Sequence, residues 1–116
     1  FNPNYSFALN NRGYSWLQLD ELRKAEKDIE LAGRKNKSNP YVQRNLGLLA
    51  RKNGAAKEAC AHFREAMAMG GTPLYGNELS ELLKDCPTVS VPQDLPKDGP
   101  GIPRPQRNAP GGSNAP

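Results

Sequence analysis

The chain has 116 residues, enough for one small domain. Its net charge of +4 is spread over Arg23-Lys24, Lys27, Arg34-Lys35, Arg51-Lys52 and Lys57, with Glu21, Glu26, Asp28 and Glu30 interleaved. That pattern reads as a solvated helical surface and excludes the concentrated basic stripe of a nucleic-acid binder. No apolar run approaches the ~20 residues that span a bilayer. Catalysis, a cofactor and a metal are not expected. The one histidine, His62, has no Ser/His/Asp or Cys/His partners at a useful spacing, and two cysteines 26 apart make no ligand set with it.

Hydrophobic periodicity predicts five helices. The first runs from Tyr5 to Leu19 with Phe7, Leu9, Tyr14, Trp16 and Leu17. The second runs from Glu21 to Lys35, where Leu22, Ala25, Ile29 and Ala32 fall on one face. Asp20 is placed as its N-cap. The polar run Lys35 to Asn39 ends it, and Pro40 opens the third helix, which reaches Lys52. Asn53-Gly54 is a turn. The fourth helix runs from Ala55 to Met69 and stops at Gly70-Gly71. Thr72-Pro73 reads as the N-cap and first turn of a fifth helix with Leu79, Leu82 and Leu83, ending near Cys86-Pro87. His62 is placed on the outer, solvated side of its helix.

A repeat underlies this list. Asn11, Gly13, Ala25, Ile29 and Ala32 recur 34 residues later as Asn45, Gly47, Ala59, Phe63 and Ala66. A glycine inside a helix costs about 1 kcal/mol relative to alanine. Gly13 and Gly47 are therefore expected where the second helix of each hairpin approaches too closely for a side chain. The alanines serve the same approach, and Ile29 and Phe63 fill the space where the axes diverge.

These residues resemble the tetratricopeptide repeat (TPR) family, whose pattern runs W-x2-L-G-x2-Y, then A-x3-F, then P. The second unit matches at Leu46-Gly47, Ala59-x3-Phe63 and Ala66, with Gln43 and Ala50 replacing the family's tryptophan and tyrosine. The first matches at Gly13, Ala25 and Ala32, with Trp16 as its large aromatic, Arg12 for the leucine and Ile29 for the phenylalanine. The resemblance implies an all-α fold: an α-solenoid fragment of two helix–turn–helix repeats and a capping helix. Residues 1–4 would close a preceding repeat, 5–37 and 38–71 form the two repeats, and 72–86 form the cap. The ending from Glu58 to Cys86 resembles the last unit of certain bacterial TPR proteins.

The family resemblance also implies a function: a non-catalytic scaffold that binds a protein or peptide in the concave groove lined by the first helix of each repeat. Here that face would carry Phe7, Asn10, Asn11, Tyr14 and Gln18, then Tyr41, Arg44, Asn45, Leu48, Arg51 and Lys52. Arg44, Arg51 and Lys52 suit carboxylates, the asparagines suit peptide backbone, and the tyrosines suit side chains. Two alternatives stand beside this. The asparagines can simply tie neighbouring helices together, and the segment can be a structural cap on a longer array that binds elsewhere. An array cut ahead of residue 5 would expose its first repeat face and self-associate there.

The cysteines leave two readings open. Antiparallel fourth and fifth helices would bring Cys60 and Cys86 together as a disulfide, worth roughly 3 kcal/mol in the chain-entropy model. Equally, they are reduced thiols. The bridge suits an oxidising compartment such as the bacterial envelope, the thiols suit the cytoplasm. From Pro87 onward lie eight of the eleven prolines and four of the eleven glycines. Residues 87–116 are therefore expected to be a disordered tail. Lys97, Pro100 and Pro103 within it have the spacing of an SH3 ligand.

Overall fold

Three chain reversals with the same hydrogen-bond pattern divide the described residues into helical pairs. The computed structural model describes residues 4–87. It contains α1 (Tyr5–Gln18), α2 (Leu22–Lys35), α3 (Pro40–Lys52) and α4 (Ala56–Ala68), then a single 3₁₀ turn at Pro73–Tyr75 and the short α5 (Glu78–Leu83). No strand occurs among the described residues. The first three residues and the proline-rich tail beyond Pro87 lie outside them, so the expectations placed there are not addressed.

Each reversal puts one residue in the left-handed region just past a helix. After α1 it is Asp20 (φ 59°), after α3 Gly54 (φ 77°) and after α4 Gly70 (φ 115°). In the first, Asp20 N–H donates to the Leu17 carbonyl and Glu21 N–H to that of Trp16. Gly54 and Ala55 repeat the pair on Arg51 and Ala50, and Gly70 and Gly71 repeat it on Met67 and Ala66. This double bond satisfies carbonyls that a helix end leaves open. It also corrects the placement of Asp20. That residue is the terminator of α1, not the N-cap of α2, because the chain needs a left-handed residue there and aspartate tolerates one. The N-cap position of α2 falls to Glu21, with no side-chain cap bond. Asp20 meets Lys52 instead, at 2.7 Å.

Within each pair the helices are antiparallel. Ser6, near the start of α1, donates from Oγ to the carbonyl of Ala32, near the end of α2 (2.8 Å). Leu9, Gly13 and Leu17 of α1 meet Ala25, Ile29 and Ala32 of α2, all buried. A Cβ built on Gly13 would fall against Ile29 Cγ1, and one on Gly47 would fall inside the Phe63 ring. The absence of these side chains is what lets each pair close. Ala59, Phe63 and Ala66 of α4 are fully buried against Ala50 and Leu79 in a second cluster. The two hairpins stack through α3, which packs on both α2 and α1. Asn39 Nδ2 donates to Ser6 Oγ across that junction (3.1 Å). Asn39 also caps α3, accepting from Tyr41 N–H at 2.9 Å.

The fifth element departs from its expectation. Thr72 does not start a helix: its side chain makes no cap bond, its Oγ1 is buried without a hydrogen-bond partner, and Pro73–Tyr75 closes only one 3₁₀ turn. Gly76, at φ 62°, turns the chain again before α5 begins at Glu78. α5 then packs on α4 through Leu79, Leu82 and Leu83. Cys60 and Cys86 are joined as a disulfide with Cα atoms 5.8 Å apart, which ties the first turn of α4 to the chain just past α5. His62 is not solvated as expected. It is half-buried, with Nδ1 2.9 Å from Gln43 Oε1, and burial holds its imidazole below the usual histidine range.

Replacing Gly47 by alanine is expected to destabilise the fold by about 1–3 kcal/mol, because overpacking outweighs the gain in helix propensity. The double variant Gly47→Ala/Phe63→Leu should recover most of that loss in urea denaturation. Equal stability of Gly47→Ala and the unaltered chain would contradict the close approach.

Candidate partner-binding groove

α1 and α3 lie side by side because the hairpins stack, and their shared face carries the residues picked out above. Arg44 is at its centre and is only 2 % exposed. Its Nε and Nη2 donate to the two carboxylate oxygens of Glu78 at 2.7 and 2.9 Å. Nη1 donates to Asn45 Oδ1 at 2.8 Å. The guanidinium carbon sits 3.8 Å from the Tyr75 ring centroid and 4.6 Å from that of Tyr14. Burial disfavours the Arg44 charge, but the bidentate bonds and charge of Glu78 outweigh it and hold the guanidinium above its ordinary range. Asn45 Nδ2 donates onward to the Asn10 carbonyl at 3.2 Å.

The predicted site residues therefore separate into groups. Asn10, Arg44 and Asn45 are buried between elements. They tie α1, α3 and α5 together, and Arg44 already holds a carboxylate of its own chain. The expectation that Arg44 and Asn45 face a ligand is corrected: a third element covers them, and their hydrogen-bonding groups are spent on it. Asn11 is exposed on α1.

Tyr14, Gln18, Leu48, Arg51 and Lys52 converge. With Leu17 they line an open groove of about 290 Å³ between α1 and α3. Tyr14, Leu17 and Leu48 form its apolar part, and Arg51 and Lys52 place two cations at one end. Each cation is held by an exposed partner. Lys52 Nζ meets Asp20 at 2.7 Å, and Arg51 Nη2 meets the Leu82 carbonyl at 3.1 Å and Asp85 at 3.8 Å. Exposed pairs of this kind contribute ~0–1 kcal/mol and exchange readily for another carboxylate.

Phe7 and Tyr41 belong to a different feature. Their ring centroids are 6.2 Å apart, and Tyr41 is 5.9 Å from Tyr75, both pairs edge-on. Tyr75 and Glu78 were not picked out from the sequence. The signal was present, since Tyr75 lies 34 residues after Tyr41 and Glu78 lies 34 after Arg44. The period outlasts the glycine that announces it.

A separate polar cluster closes the outer end of the first hairpin. Arg12 donates from Nε and Nη2 to Asp28 at 2.7 and 2.8 Å, and Trp16 Nε1 donates to the same carboxylate at 3.0 Å. The Arg12 bonds hold Asp28 below the usual carboxylate range, against the opposing effect of its burial. All of its acceptors are directed at its own helix pair, so it serves the fold.

No helix among the described residues is long and apolar enough to cross a membrane. Comparison of the chain with protein-family models, with curated proteins and with solved structures returns no match in any of the three. The site is therefore argued from its own geometry.

Removing one partner of a buried ion pair strands the other charge, at a cost of about 3 kcal/mol. Glu78→Gln is expected to lose that much stability in urea denaturation. The double variant Arg44→Met/Glu78→Leu should lose much less, since no charge is left unpaired. Additive losses would contradict the pairing.

Proposed function

We propose that residues 5–86 are a non-catalytic protein-interaction module of the TPR type, which takes a segment of a partner chain in the groove between α1 and α3. The observation that carries this reading is the convergence of Tyr14, Gln18, Leu48, Arg51 and Lys52 on one open surface. An apolar strip ending in two cations suits a segment that presents an apolar side chain followed by a carboxylate. The geometry narrows the wider set of groove residues: Arg44 and Asn45 shape the wall and leave recognition to Arg51 and Lys52. Two helical hairpins repeating a 34-residue pattern support the family reading.

A second reading has its own support. α5 is fastened to the second hairpin by the Arg44–Glu78 pair, the disulfide and Leu79. Such a cover suits a cap for a helical array, with binding carried by other parts of the protein.

Partner capture from the source lysate separates the two. The 116-residue chain is compared with Arg51→Glu/Lys52→Glu, whose far-UV circular dichroism should be unchanged because both side chains are exposed. A binder should retain a protein that the variant loses, and retention should fall as salt rises. Equal retention by both, or a captured protein indifferent to salt, would favour the cap.

A further inference from the structure

We propose that the aromatic ladder Phe7–Tyr41–Tyr75 is a second binding surface, one that takes a proline-rich segment of another protein in the polyproline II conformation. This goes beyond the groove and uses none of its lining residues. The three rings come from α1, α3 and the 3₁₀ turn, one from each successive unit of the 34-residue period. Phe7 and Tyr75 are each more than a third exposed, and the adjoining Leu74 is 82 % exposed. Exposed aromatic rings on three consecutive units make a continuous strip that the fold itself leaves uncovered.

The spacing of the rings selects the occupant. Successive centroids are 6.2 and 5.9 Å apart. A polyproline II helix advances about 3.1 Å per residue, so alternate residues fall about 6.2 Å apart. An extended β-strand advances about 3.3 Å per residue and overshoots each step. A strand would also need a sheet edge to pair with, and the described residues contain no strand. Polyproline II keeps its carbonyls free of internal bonds and is recognised by aromatic-lined surfaces. The Tyr41 hydroxyl suits it. Its oxygen accepts the Leu74 N–H at 3.0 Å, so its proton remains to be donated to a ligand carbonyl. A stiff ligand also loses little conformational entropy on docking.

The test is fluorescence anisotropy of a labelled, end-blocked proline decapeptide with the 116-residue chain, against a glycine–serine peptide of equal length. Saturable binding of the proline peptide alone is expected. Phe7→Ala and Tyr75→Ala should each weaken it at least tenfold with helicity unchanged. Phe7 is the cleaner probe, because Tyr75 also touches Arg44. Arg51→Glu/Lys52→Glu should leave the affinity as it was, so the outcome is read separately from that of the groove. Absence of saturable binding, equal binding of the two peptides, or indifference to Phe7→Ala would overturn the proposal.

Discussion

One buried guanidinium organises this molecule. Arg44 is enclosed by Tyr14 from α1, Asn45 from α3, Tyr75 from the 3₁₀ turn and Glu78 from α5. A charge so placed is tolerable only if every donor is used and a carboxylate is near. That requirement fixes the position of α5, since Glu78 must reach Arg44. It fixes the stacking of the hairpins, since Asn45 bonds both Arg44 and the Asn10 carbonyl. It also decides what the groove presents to a partner, because the arginine that would dominate it is withdrawn inside.

The approach of the helices within each pair has a simpler origin. Gly13 and Gly47 remove the side chains that would hold the axes apart, and Ile29 and Phe63 occupy the space gained. Both effects act at a spacing of 34 residues, as do the ladder of rings and the Arg44–Glu78 pair. A repeat of this kind buries its faces only by stacking on neighbours. The short α5 supplies that neighbour for α4, and the Cys60–Cys86 bridge keeps so short a helix from leaving.

Much of this was legible in the residues. The four long helices start and stop within a residue or so of their expected ends, because glycines, prolines and the apolar stripe all point to the same boundaries. The glycine contacts were legible for the same reason. Asp20 misled because an aspartate before an amphipathic stretch is equally a good N-cap and a tolerable left-handed residue, and only the backbone chooses between them. Thr72-Pro73 misled because the glycine at 76 ended the turn that they opened. The burial of Arg44 was the largest surprise. An arginine on the first helix of a repeat reads as a ligand contact until its partner is found, and Glu78 lies in a segment whose glycine signature has lapsed. Tracking the 34-residue spacing one unit further would have found both it and Tyr75.

The enclosure of Arg44 can be observed directly. Nitrogen-15 NMR at neutral pH detects an arginine Nε–H only when its exchange with water is slowed, and slow exchange requires burial or a strong acceptor. The account predicts a sharp Arg44 Nε–H resonance with nuclear Overhauser contacts to the Tyr75 ring, while exposed Arg34 shows fast exchange. An Arg44 Nε–H that exchanges as fast as that of Arg34 would contradict the central claim. It would mean that α5 leaves the face it is described as covering, and that Arg44 is free for a partner.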